Sequence, residues 1–201
     1  MPKSTKPAGP AIDLALLDAR AELFCRGEPS EEWLTYVRNN AIDVATVCRF
    51  AGILAVTHCI FFGRRFDFIE PGEREAEPAA VIEALGDDAK TVVDLVAWPI
   101  EAPGRFASLF GDVAMLGADR VDSPASYFGG AHLQLYRTPL AWLQAGCSGA
   151  VIVDPFGAEI VLGRALGPVA GEDVDHAREI QKLTRLPPQR VLAPLRRRAA
   201  A

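Results

Sequence analysis

Four carboxylates stand just beyond apolar runs in this sequence: Glu101 after TVVDLVAW, Asp154 at the end of GAVIVD, and Glu172 and Asp173 after GPVAG. In open α/β sheets, ligands bind outside the carboxyl ends of the strands. Carboxylates converging at such a rim hold Mg²⁺, which takes oxygen ligands and keeps several waters. A metal held that way serves phosphoryl transfer or phosphodiester cleavage. The same residues also have a structural use. Asp154 precedes Pro155 and Asp173 opens an amphipathic run, and both are N-cap positions. Glu101 lies in a loop between Pro99 and Pro103.

Other chemistry finds no constellation. The histidines are His58, His132 and His176, and no G-x-S-x-G elbow is present. Cys147-Ser148-Gly149 precedes a strand-like run, whereas an elbow sits on a strand-to-helix turn. Cys48, His58 and Cys59 approach a zinc set, but adjacent strand residues such as His58 and Cys59 point to opposite faces. No metal site is therefore expected, with Mg²⁺ at the carboxylate rim as the alternative. Neither G-x-x-x-x-G-K-[ST] nor G-x-G-x-x-G occurs. A nuclease core built on Asp67 and Asp94 lacks the lysine that an acidic-x-Lys pair needs. Trp98, Tyr127 and Phe128 fall at expected strand-to-helix junctions and are candidates to line a pocket.

The elements that must position these residues follow from periodicity. Residues 11–26 carry a helical apolar stripe ended by Gly27, and Ser30 caps a second helix with Glu31 and Glu32 in its first turn. A third helix is expected over 42–50. ILAVTHCIFF and RRFDFIE read as a hairpin about Gly63, followed by the polar loop PGEREAEP. Beyond it the spacing predicts helices over 78–85 and 104–116, closed by Gly86 and Gly117. Strands are expected at TVVDLVAW, HLQLY, GAVIVD, GPVAG and RVLAPL, and helices at PLAWLQA, PFGAEIVLGRAL and DVDHAREIQKL. SPASYF reads as a helix or irregular turn.

Four of the expected starts have a residue followed by proline: Glu77-Pro78, Ser123-Pro124, Thr138-Pro139 and Asp154-Pro155. Proline suits a first helical turn, and the residue before it is pushed out of the α region, as an N-cap must be. Alternating strands and helices imply βαβ units. The fold expected is α/β, a mostly parallel sheet flanked by helices, with an N-terminal helical segment and a β-hairpin. TVVDLVAW and GAVIVD would be parallel, central strands of one sheet. The expected organisation is a disordered tail (1–10), one domain over 11–195 with a helical and hairpin part (11–75) and a βα-repeating part (76–195), and a basic tail (196–201).

The chain has 201 residues, half of them hydrophobic and 23% charged, enough for one globular domain without metal or disulfide support. The net charge of −5 carries no basic stripe outside the two ends, so nucleic acid is not expected beyond weak contact through the tails. The most membrane-like stretch, 41–62, contains Asp43, Arg49 and His58 and reads as a core helix followed by a strand. Four cysteines without a C-x-x-C pair, and no secretory signal, imply a soluble protein of a reducing cytoplasm.

DLVAWPIEAPGRFASLFG, SPASYFGG and RTPLAWLQAGCSGAVIVDP, within residues 91–155, resemble an uncharacterised group of bacterial proteins associated with mobile-element gene neighbourhoods. That group has no assigned activity, and the resemblance implies an accessory role in DNA or phage biology. The function expected is a non-catalytic binding or accessory protein, with an unknown protein as a possible partner and no cofactor. A metal-dependent hydrolase or phosphoryl-transfer enzyme at the carboxylate rim is the alternative.

Overall fold

The computed structural model describes residues 14–26, 30–45, 47, 52–184 and 186–193. Strands β1 (Leu54–Phe62), β2 (Arg65–Phe68), β3 (Glu77–Leu85), β4 (Val92–Pro99) and β5 (Ala107–Ser108) close into a barrel in the order β1-β2-β5-β4-β3. β1 and β2 form a hairpin in which Phe62 faces Arg65, leaving Gly63 and Arg64 as its tip. β2 pairs parallel to β5, and the other neighbours run antiparallel.

Alternation along the barrel strands builds two cores, because successive side chains point to opposite faces. Ala55, Cys59, Ala79, Val81, Leu95 and Ala97 share one cluster with Phe66 and with Ala19 and Leu23 of α1 (Leu14–Arg26). Leu54, Val56, Ala80, Ile82, Val96 and Trp98 share the other with Tyr36 and Val37 of α2 (Glu31–Asn39) and with residues of a second sheet. Each large apolar side chain so buried contributes about 1.5–3 kcal/mol.

The second sheet has the order β10-β9-β7-β8-β6, from β6 (Met115–Leu116), β7 (Leu133–Tyr136), β8 (Ala150–Ile152), β9 (Val169–Ala170) and β10 (Val191–Leu192). β10, β9, β7 and β8 run parallel, and β6 is antiparallel to β8. Helix α3 (Pro139–Gln144) packs Trp142 and Leu143 into the cluster shared with the barrel. Helices α4 (Pro155–Gly163) and α5 (Val174–Thr184) pack Ala158, Leu162, Ala177 and Ile180 into a third cluster with β7, β8 and β9. Among the described residues, no helix is long and apolar enough to cross a membrane.

A mostly parallel sheet flanked by helices is therefore not the fold. TVVDLVAW and GAVIVD do not share a sheet: β4 is antiparallel to β3 and β5 in the barrel, while β8 belongs to the second sheet. Segment 78–85 is a strand despite its helix-forming Ala, Glu and Leu residues. It is hydrogen-bonded on both sides, to β1 and β4, and its alanines let the barrel close around it. Segment 104–116 is not a helix but two short strands and turns. Its backbone is drawn into the barrel by Asp94, which is fully buried and accepts from the N–H groups of Phe110 (2.9 Å) and Asp112 (2.8 Å).

The proline pairs divide similarly. Thr138 and Asp154 cap their helices, accepting from Ala141 N and Gly157 N, whereas Ser123 starts a 3₁₀ segment without a side-chain cap bond and Glu77-Pro78 lies in a strand. Of the expected third helix, Val44, Ala45 and Val47 are helical, and the rest of it and both tails lie largely outside the described residues.

Candidate functional site

The hairpin tip of the barrel leans over the carboxyl ends of β7 and β8, and a cleft of about 410 Å³ lies between them. Arg64 and Arg65 come from the hairpin, Arg105 from the loop before β5, and Arg137 from the residue after β7. Two carboxylates, Asp154 and Glu179, line the cleft with those four arginines, and two more, Glu77 and Asp173, pair with Arg105 and Arg137 from outside the lining. Tyr136, Phe106, Ile152, Ile180 and Leu183 supply an apolar wall.

Each arginine is seated by the fold. Arg64 Nη1 donates to Asp154 Oδ1 at 3.2 Å, joining barrel to second sheet across 90 residues of sequence. With side chains 68% and 40% exposed, that pair contributes about 0–1 kcal/mol and can open to a ligand. Arg65 donates to Leu109 O at 3.3 Å and lies flat against Gly111, where a Cβ would fall 2.2 Å from its Nη2. Gly111 has φ +78°, and that left-handed backbone calls for glycine. Arg105 pairs with Glu77 and stands over the Phe61 ring, 5.1 Å from its centroid.

Arg137 organises the far wall. Its guanidinium bonds both oxygens of Asp173, at 2.8 and 3.3 Å, and reaches Glu179 at 3.5 Å, while its backbone N–H donates to Glu172 Oε2 at 2.9 Å. Asp173 Oδ1 also accepts from His176 N at the start of α5 (2.8 Å). That backbone donor, helped by the Arg137 charge, holds the Asp173 carboxyl below its ordinary pKa. His176 is buried, and Glu172 N donates to its Nδ1 at 3.1 Å. Burial, with the Arg137 charge adding to it, lowers the His176 pKa and favours the neutral ring.

The expected site residues therefore scatter. Asp154 lines the cleft, and Glu172 and Asp173 flank it through Arg137, each carboxylate already holding an arginine or backbone donors. Glu101 is exposed in the turn after β4 and is not among the lining residues. Among the described residues, no group of three or more His, Cys, Asp or Glu side chains is placed to hold a metal ion. Trp98 is fully buried in the core with its Nε1 donating to Tyr36 Oη (2.8 Å). Tyr127 is half-buried with its hydroxyl donating to Val121 O (2.7 Å), and Phe128 is exposed; none of the three lines the cleft.

The residues that sequence reasoning missed are the arginines and His176. The signal was there for one of them: Arg137 directly follows a strand, the same position that drew attention to the carboxylates. Arg64, Arg65 and Arg105 belong to the barrel, and only the packing of the two sheets brings them near Arg137. No family model, curated protein or solved structure matches the chain.

Proposed function

We propose that this chain is a non-catalytic binding module that takes a small anionic ligand into the cleft between barrel and sheet. The observation that carries the reading is the convergence of Arg64, Arg65, Arg105 and Arg137 on a cleft with only two carboxylates in its lining. Guanidinium groups are the side chains suited to phosphate and carboxylate recognition. The described cysteines, Cys25, Cys59 and Cys147, are free, which supports a reducing cytoplasm as its setting. The resemblance of residues 91–155 to mobile-element-associated proteins supports an accessory role there.

The test is a thermal melt with inorganic phosphate or pyrophosphate at constant ionic strength. A ligand bound only by the native state at a hundredfold excess over Kd adds about 2.7 kcal/mol, or roughly 5–11 °C for a chain of this size. The rise should disappear in Arg64→Ala/Arg137→Ala. An equal rise in that double variant would mean a general salt effect and would refute the reading.

A metal-dependent hydrolase or phosphoryl-transfer enzyme is the second reading. Asp154, Glu172 and Asp173 at one sheet edge favour it. Against it, Mg²⁺ would have to displace arginines and backbone donors already holding those oxygens. A rise in melting temperature specific to Mg²⁺ or Mn²⁺, absent with Ca²⁺ and lost in Asp154→Asn, would put this reading first.

A further inference from the structure

We propose that the ligand of the cleft is a small phosphomonoester with an apolar or aromatic body, and that His176 donates a hydrogen bond from Nε2 to its phosphate. The inference rests on the reading of the cleft as an anion site and adds the ligand class and a binding residue.

The tautomer is set by the backbone. Glu172 N–H points at His176 Nδ1 from 3.1 Å, nearer than the Glu172 carboxylate at 3.6 Å, which assigns the lone pair to Nδ1. In a neutral imidazole the proton then sits on Nε2. The His176 side chain is only 8% exposed. Nε2 bonds to no protein group among the described residues, yet no buried side-chain nitrogen or oxygen lacks a partner. Nε2 therefore opens onto free space, and the space that His176 lines is the cleft. A donor on a largely buried ring, fixed in one orientation and reaching the cleft with no protein acceptor, is what a ligand acceptor would complete.

The same geometry makes His176 a donor and not a base. Taking up a proton would place an N–H on Nδ1 against the Glu172 N–H and break that bond. Arg137, beside the ring, opposes a second positive charge, while Glu172, Glu179 and Asp173 act in the other direction.

Three features select phosphomonoester chemistry. Donors reach the cleft from the hairpin, the loop before β5, the end of β7 and α5, which suits a tetrahedral group with three terminal oxygens. A planar carboxylate is satisfied by one bidentate arginine. Arg65 bonds a carbonyl and no carboxylate among the described residues, so its charge is available to a phosphate. A volume of about 410 Å³ lies in the small-molecule range of about 300–1,000 Å³, and Phe106, Ile152, Ile180 and Leu183 give the ester group an apolar wall.

The experiment is calorimetric titration of the full chain with phenyl phosphate, inorganic phosphate, methyl phenyl phosphate and benzoate. Phenyl phosphate should bind tightest, with the monoanionic diester and benzoate weaker by about tenfold, the loss expected when charge-assisted hydrogen bonds go unmade. His176→Asn keeps an acceptor for Glu172 N–H but removes the Nε2 donor, so it should lose about tenfold in phenyl phosphate affinity with its melting temperature near the parent's. His176→Gln restores a donor at the Nε2 position and should recover most of the affinity. Long-range ¹H–¹⁵N correlation on the unsubstituted protein should show the Nε2–H tautomer, with that resonance shifting on titration. Unchanged affinity in His176→Asn, or an Nδ1–H tautomer, overturns the role of His176. Benzoate binding as tightly as phenyl phosphate overturns the ligand class. If Arg64→Ala/Arg137→Ala abolishes binding while His176→Asn does not, the cleft remains the site and only this inference fails. If none of the anions binds, the binding-module reading fails with it.

Discussion

Asp94 connects the barrel to the cleft, and replacing it should damage both. Its carboxylate is fully buried on β4 and holds the Phe110 and Asp112 amides at 2.9 and 2.8 Å. A third contact, with Leu95 N, spans adjacent residues and adds little. In Asp94→Ala the two long-range amides lose a charged acceptor, at about 1.5 kcal/mol each, so the expected destabilisation is about 3 kcal/mol. For a chain of this size that corresponds to roughly 6–12 °C in melting temperature. Asp94→Asn retains one oxygen but sets an NH₂ group against one amide donor, and should cost about 2 kcal/mol. The tethered loop carries Leu109 O and Gly111, the two groups that seat Arg65. Asp94→Asn should therefore also reduce the stabilisation produced by phosphate. Urea unfolding followed by circular dichroism gives the first quantity, and thermal melts with and without phosphate give the second. A loss below about 1 kcal/mol in Asp94→Ala would show that water replaces the carboxylate, and the reasoning would be wrong.

Three further outcomes are expected. Thr138→Ala and Asp154→Ala should each cost about 0.5–2 kcal/mol through loss of an N-cap, whereas Ser123→Ala, with no cap bond, should stay within about 0.5 kcal/mol in the same urea assay. Because the folded-state pKa of His176 is depressed, its contribution to stability is fully present above the unfolded value of about 6.5 and is lost as pH falls below it. Unfolding free energies measured from pH 7.5 down to pH 5 should therefore fall more steeply for the parent than for His176→Asn, and parallel curves would contradict the assignment. At pH 8 iodoacetamide should modify exposed Cys25 and spare Cys59 and Cys147, whose thiols burial pushes up to about 12; mass mapping that finds equal labelling would contradict their burial.

What the sequence determined by itself is local. The helices α1 to α5, the β1–β2 hairpin and strands β7 to β10 lie where periodicity, proline and capping residues put them, because the causes act within a few residues. Thr138 and Asp154 bond to amides three positions away. The fold class was not local. Residues 78–85 carry helix-forming residues, and pairing with β1 and β4 outweighs that propensity, which spans less than about 1 kcal/mol per residue. Residues 104–116 lose their helix to Asp94, 16 and 18 positions from the amides it holds. The candidate site divides the same way. Asp154 and Arg137 sit at strand ends that the chain itself announces, whereas the charge of the cleft depends on Arg64 meeting Asp154 across 90 residues. The direction of the His176 proton depends on how the β9–α5 turn folds back on the ring. Charge clusters and tautomers arise from distances in space, and the sequence constrains those distances only through a complete packing of both sheets.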